Sequence, residues 1–286
     1  MKPFEYLAPR SISEACAMLS EHTEEAKLLA GGQSLLFLLE QRLITLRHVI
    51  DIKKLTQLDY IKRGQNSLKI GALTTQRTLE LSPLVQEKFP ILRQMERVAA
   101  PIQVRNWGTI GGSLCHAEPS GDLGVALIAL GAKVRAVSDR GEREELLENF
   151  FVDYLETILK PDEILTEVEV PTLLPHTGST YIKESRMFGG FAIVSVAVIV
   201  TLNRDTISDA RIVLGGVGPT YVRTRQAEEY LKGKRTKGKF EEVGTLAANE
   251  VHPSSDMEGS AEYKCHIARI IVNEAVVRSI KQATFM

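Results

Sequence analysis

Two stretches decide the reading of this chain: Leu28-Leu29-Ala30-Gly31-Gly32-Gln33-Ser34-Leu35 and Thr109-Ile110-Gly111-Gly112-Ser113. Each sets two adjacent glycines after a short apolar strand pattern, with a hydroxyl residue close behind and a helical pattern shortly after. Adjacent glycines let the backbone turn with φ > 0 and leave N–H groups uncovered by any Cβ. Near a helix start such a turn suits an anion, the helix dipole adding about 0.3–1 kcal/mol. Two such turns suit one ligand with two phosphates. The commoner nucleotide loops are absent. No G-x-x-x-x-G-K-[ST] occurs, so there is no P-loop. Gly216-Val217-Gly218 is followed by Tyr221 where a dinucleotide fingerprint needs glycine, so it reads as a turn.

The second stretch runs on through Leu114-Cys115-His116-Ala117-Glu118-Pro119-Ser120-Gly121-Asp122. His116-Ala117-Glu118 matches half of a zinc-deaminase signature, and the P-C-x-x-C half is missing. A Cys115–His116 nucleophile pair is disfavoured, because neighbours on a strand point to opposite faces. His22 and His252 read as surface residues.

Working outward, Ser11 and Glu14 form a capping box ahead of Ile12, Ala15, Cys16 and Leu19, an amphipathic helix. Strands are expected at Lys27–Ala30, His48–Ile52, Ser67–Gly71, Ala132–Val137 and Ile164–Val170. The last should be half-buried, with Glu167 and Glu169 facing out. Helices are expected at Ser34–Leu43, Ser82–Ala100 and Asp122–Leu130. Pro171, Pro175 and Gly178 mark a boundary between domains at 1–175 and 176–286. Beyond it come strands at Thr180–Ser185, Phe191–Leu202 and Ala210–Leu214, a solvated Lys/Gly-rich loop at Leu231–Lys239, and a helix over Ala261–Ile280. Strands and helices mix in both halves, which admits a doubly wound parallel sheet, but the alternating strands point to α+β.

The chain has 286 residues, 35 Lys+Arg against 36 Asp+Glu, and no basic surplus pointing to nucleic acid or an anionic membrane. Three scattered cysteines, Cys16, Cys115 and Cys265, make no disulfide framework and imply a reducing compartment. They are also too few for an iron–sulfur cluster, which takes about four. The longest apolar run, Phe191–Val200, is far short of the roughly 20 residues of a membrane span. The opening residues Met1–Arg10 have no signal-peptide pattern. A cytoplasmic location is expected.

Ala30-Gly31-Gly32-Gln33-Ser34-Leu35, Thr109-Ile110-Gly111-Gly112-Ser113 and Asp122 together resemble the FAD-binding medium subunit of the molybdenum hydroxylases. That family includes the carbon monoxide dehydrogenase medium subunit and the xanthine dehydrogenase flavin domain. Phe4-Glu5-Tyr6-Leu7-Ala8-Pro9, Gly71–Thr75, Gln103–Asn106, Pro161–Leu165 and Leu214–Pro219 match in the same order along nearly the whole chain. The resemblance implies a vanillyl-alcohol-oxidase/PCMH-type FAD-binding domain of two α+β subdomains, then a smaller α+β C-terminal domain. It implies that Leu28, Leu29, Ala30, Gly31, Gly32, Gln33, Ser34 and Leu35, with Thr109, Ile110, Gly111, Gly112 and Ser113, wrap the FAD diphosphate with backbone N–H groups. Asp122 matches a carboxylate near the cofactor's sugar region, and Leu165 and Lys183 match positions flanking the flavin. Without the resemblance Lys183 reads as an exposed strand lysine. Ser113 and Gln33 stand where many relatives carry Asn and His or Thr, and both keep hydrogen-bonding capacity. Ala99 replaces an aromatic ring, and Trp107 a basic or small residue.

The implied activity is electron transfer: non-covalent FAD receives electrons from [2Fe–2S] clusters of a small partner subunit and passes them to an external acceptor. A large partner subunit carries the molybdenum cofactor, in a heterotrimer or a dimer of heterotrimers. Neither a catalytic acid–base residue nor a metal ligand is expected on this chain. The competing reading is a stand-alone FAD oxidase of the same fold with flavin tethered through Cys115 or His116. A Cβ branch at Gly32 or Gly111 is expected to expel flavin with the fold intact, and Gly215→Ala to affect stability alone.

Overall fold

The computed structural model describes residues 1–285. Strands β1 (Glu5–Leu7), β2 (Ala26–Leu29) and β3 (His48–Asp51) form a parallel layer in the order β1-β3-β2. Parallel neighbours need crossovers, and helices α1 (Ile12–His22) and α2 (Leu35–Glu40) lie in them. Ser11 caps α1 by accepting the Glu14 N–H at 3.1 Å, while the Glu14 carboxylate accepts the Arg10 N–H at 2.6 Å. Ala15, Cys16 and Leu19 on the inner face of α1 pack in one core with Ile50 and Leu55. Helix α2 stops at Glu40, short of the expected Leu43, because the backbone turns to φ 58° at Arg42.

A second, antiparallel layer has the order β4-β5-β10-β6-β7. Its strands are β4 (Ile61–Arg63), β5 (Ser67–Gly71), β6 (Lys133–Ser138), β7 (Gly141–Leu146) and β10 (Ile164–Pro171), while β8 (Phe151–Asp153) and β9 (Glu156–Thr157) pair as a separate hairpin. The charged edge strand β7, Gly-Glu-Arg-Glu-Glu-Leu, has no apolar alternation and is invisible to a hydrophobic pattern; charge on an edge discourages pairing with another chain. In β10 the expected outward Glu167 is instead buried. It accepts from the Tyr60 hydroxyl at 2.6 Å and from Lys69 Nζ at 3.3 Å, so cross-strand partners replace water.

Six helices connect β5 to β6: α3 (Gln76–Leu81), α4 (Pro83–Lys88), α5 (Pro90–Ala99), α6 (Ile102–Arg105), α7 (Ile110–His116) and α8 (Leu123–Ala129). The single helix expected over Ser82–Ala100 is two. Pro90 has no N–H to give and forces Phe89 out of the helical region, to φ −137° and ψ 61°. Helix α7 is also a departure: Gly111 and Gly112 lie in its first turn, not ahead of a helix. The strand expected ahead of them is one isolated bridge, Thr75 to Thr109.

The last third is a meander, β11 (Thr177–Glu184), β12 (Val194–Asn203), β13 (Thr206–Gly215) and β14 (Val222–Arg223), antiparallel throughout. It is followed by α9 (Arg225–Leu231), α10 (Glu241–Asn249) and α11 (Ala261–Phe285). Val194, Val196, Val198 and Val200 of β12 pack in one core with Val272 and Val276 of α11. Ala197 and Ile199, pointing the other way, share a core with Leu92 of α5 and Val125 of α8. Burial on both faces is why β12 reads as a continuous apolar run. The meander thus packs onto the very helices that carry Asp122 and the Ala99 turn.

Candidate flavin site

The first glycine pair follows β2. Gly32 has φ +76°, the left-handed region open to glycine. The Gly31 carbonyl accepts from Gln33 Nε2 at 3.3 Å. The N–H groups of Gly31, Gly32, Gln33 and Ser34 find no acceptor among the described residues. Four consecutive unpaired donors on a half-exposed turn form an anion cradle.

The second glycine pair is built differently. Its N–H groups are spent inside the protein: Ile110 on Thr74 O at 2.9 Å, Gly111 on Ala72 O at 2.8 Å, Gly112 on Thr109 Oγ1 at 3.1 Å and Ser113 on Thr109 O at 2.9 Å. The expectation of bare amides here fails, because Thr109 caps α7 and the Gly111 amide docks on the chain beyond β5. The two glycines also divide their tasks. A Cβ at Gly111 would lie 2.6 Å from Ala72 Cβ and 2.9 Å from Ala72 O, so Gly111 permits close packing and a branched side chain there costs the fold. A Cβ on Gly112 would meet only Thr109 Oγ1 at 2.8 Å and Ala30 Cβ at 4.0 Å, facing the first glycine pair.

The two pairs are brought together by Gly31. A Cβ there would fall 1.9 Å from the carbonyl oxygen of Trp107, so only glycine allows this approach. Helices α2 and α7 have six and seven residues, so the donors act as individual N–H groups rather than through a long dipole. Gly112 and Cys115 lie three apart on the solvent-accessible side of α7. Surrounding protein nevertheless pushes the Cys115 thiol up to about 12, against the opposing pull of Lys27 on β2. The Cys115 side chain is itself exposed on α7. A thiol held that far from its thiolate is a poor nucleophile, and burial also holds the His116 imidazole below its ordinary value.

The remaining expected residues lie deeper. Asp122 is buried at the start of α8 and receives the Tyr181 hydroxyl at 2.5 Å and Lys183 Nζ at 2.9 Å. Burial raises Asp122 to about 6, with the Lys183 ammonium pulling the other way. Lys183 is no exposed strand lysine: its side chain is 2% exposed. It also donates to the carbonyls of Val98 at 3.2 Å and Ala99 at 3.0 Å, which uses all three N–H groups. Leu165 is buried in the hydrophobic core with Leu68 and Val168. Sequence reasoning missed Tyr181, although it stands two residues before Lys183 and so shares its face of β11. It also missed Glu96, whose place on the apolar stripe of α5 is the available signal.

Residues 2–173 match the model of the FAD binding domain in molybdopterin dehydrogenase, and residues 179–278 that of the CO dehydrogenase flavoprotein C-terminal domain. The chain belongs to this family of flavoprotein subunits. It is 35% identical over 274 residues to the carbon monoxide dehydrogenase medium chain of Hydrogenophaga pseudoflava, covering 96% of each. It is 34% identical over 287 residues to the 6-hydroxypseudooxynicotine dehydrogenase complex subunit alpha of Paenarthrobacter nicotinovorans, covering 99% of this chain and 97% of the relative. A chain of the reconstituted CO dehydrogenase from Oligotropha carboxidovorans superposes with a TM-score of 0.95 at 31% identity, covering 98% of both. The unpaired amides of Gly31–Ser34 are donors of the kind a phosphate of the FAD this family binds calls for. No helix among the described residues is long and apolar enough to cross a membrane.

Proposed function

We propose that this chain is the electron-transfer flavoprotein subunit of a molybdenum hydroxylase, and that the row of unpaired amides at Gly31–Ser34 carries that reading. Leu28–Leu35 hold the diphosphate through those N–H groups. Thr109–Ser113 supply the opposite wall through Gly112 and the Ser113 hydroxyl. Asp122, Leu165 and Lys183 form the flavin end, where the Lys183 ammonium is anchored on three acceptors, the Asp122 carboxylate among them. Residues 1–175 bind the cofactor and residues 176–286 back that site with the β11–β14 meander. When bound, FAD supplies the capacity to accept and release electron pairs. The protein's part is to hold it, orient it and set the charge around it.

The partners are a large molybdenum-cofactor subunit and a small [2Fe–2S] subunit, in a heterotrimer or its dimer, in the cytoplasm. With three separated cysteines this chain is supported as the flavin carrier alone. The tethered oxidase is not favoured, because Cys115 is far from ionisation and neither it nor His116 is activated. The test is to reconstitute the chain with FAD, desalt it and precipitate it with acid. One flavin per chain, released into the supernatant, is expected. A folded chain that retains none, alone and with both partner subunits, would reject the reading, and a yellow pellet would restore the tethered one.

A further inference from the structure

Helix α5 carries a carboxylic acid where its own periodicity demands a hydrophobe. Leu92, Glu96 and Ala99 fall at i, i+4 and i+7 on its inner face. Glu96 is fully buried, and neither carboxyl oxygen has a hydrogen-bond partner. Arg105, the cation that acts on it, and the other cations on the packed elements are already engaged, while Arg93 and Arg97 of its own helix make no ion pair with it. Arg77 of α3 and Arg105 of α6 both pair with Glu80. Lys183 of β11 is spent on Asp122 and on the carbonyls of Val98 and Ala99, in the last turn of α5 itself. The Tyr181 hydroxyl donates to Asp122. Beyond Asp122 at its start, α8 carries no titratable side chain. Glu87 and Lys88 of α4 pair with each other at the surface.

An ionised Glu96 would be a buried charge with no cation and no donor, a state that proteins avoid by neutralising the group. Asp122 and Glu80 add repulsion, and Arg105 only partly offsets it, so the acid is held well above the ordinary carboxylate range. Its proton stays on at neutral pH.

We propose that Glu96 is a positioning residue which, as a neutral acid, keeps the Asp122–Lys183 pair charge-balanced behind the cofactor. Losing that proton places a second negative charge there. Reduction adds electrons to the flavin, so it becomes less favourable once Glu96 ionises. The neutrality of Glu96 stands on its surroundings alone, while the link to flavin rests on the function proposed above.

Two readouts keep these parts separate. In the FAD-loaded protein, the infrared carbonyl stretch of an un-ionised carboxylic acid is expected at neutral pH, absent from Glu96→Gln and lost from the wild type on alkaline titration. The FAD midpoint potentials of the two proteins should coincide while that band persists. Beyond the pH at which it disappears, the wild-type potential should fall below that of Glu96→Gln. An ionised Glu96 at neutral pH overturns the proposal. So does a band that survives to the alkaline limit of the folded protein, and so do potentials that stay superimposed after its loss. If Glu96→Gln does not fold, the wild type decides alone: band loss and a break in its potential–pH curve must share one pH. A chain that shows the acid band but binds no FAD, with or without its partner subunits, would reject the flavin reading and leave the buried acid standing.

Discussion

Replacing Gly31 with alanine tests the contact that joins the two glycine pairs. The new methyl would sit 1.9 Å from the Trp107 carbonyl oxygen, 2.7 Å from the carbonyl carbon and 3.0 Å from Gly108 Cα. These are backbone atoms, so no rotamer change relieves the clash. Restoring ordinary contact requires a retreat of about 1.5 Å by one segment. Overpacking of this kind costs about 1–3 kcal/mol, and the reduced freedom of the unfolded chain returns about 0.4–1 kcal/mol. A net loss of about 1–2 kcal/mol lowers the melting temperature of a chain this size by roughly 2–8 °C. The retreat also pulls the free amides away from Gly112. Losing one hydrogen bond to a charged phosphate costs about 1.5–3 kcal/mol, tenfold or more in affinity. The assay is built in: Trp107 is the single tryptophan, 62% exposed, and its own carbonyl touches Gly31. Its fluorescence should be quenched as FAD binds, and Gly31→Ala should shift that titration at least tenfold. A variant that melts with the wild type and binds FAD within twofold would refute the close-approach argument.

Gly112→Ala should separate cofactor from fold. Alanine gains about 1 kcal/mol as a helix former, the displaced Thr109 cap loses about as much, and the melting temperature stays put while FAD binding weakens. Gly111→Val should do the reverse of a clean binding lesion: its branch meets Ala72, so soluble yield and melting temperature fall together with flavin content. Asp122 is raised to about 6 in the folded protein, so it contributes stability that is full below about pH 4 and lost as pH rises to about 6. Urea unfolding of Asp122→Asn across that window should lack this decline, and above it, where the wild-type pair is charged, the variant should carry the loss of about 3–5 kcal/mol that a stranded Lys183 implies. An unchanged slope would show that Asp122 ionises normally. Cys115 should alkylate far more slowly than a free thiol at mildly alkaline pH despite its exposure; rapid labelling would show that its thiol ionises normally.

The local content of the sequence reached a long way. Ser11 and Glu14 announced α1, and the ordering of apolar runs and glycine pairs announced the α+β class. Both glycine pairs were legible as special because two adjacent missing Cβ atoms are visible in one dimension. Pro90 is equally visible, and the cost of a proline in mid-helix is what divides the helix expected over Ser82–Ala100.

What the glycines are for was decided by tertiary structure. Gly31 answers to Trp107 and Gly111 to Ala72, partners that lie far along the chain, while Gly112 answers to the Thr109 cap and faces Ala30. The same holds for charge. Lys183 and Glu167 look like solvent-facing strand residues because period-two alternation assigns a face, not what covers it. The packing of β11 on α5 buries Lys183 and supplies its acceptors, and Tyr60, Lys69 and Arg135 converge on Glu167 from neighbouring strands. Sequence by itself determined which residues can turn, cap and alternate, since those are properties of a residue and its near neighbours. The ionisation of Glu96, the anchoring of Lys183 and the meeting of the two glycine pairs were left to the tertiary structure, because each depends on desolvation and on partners that chain separation hides.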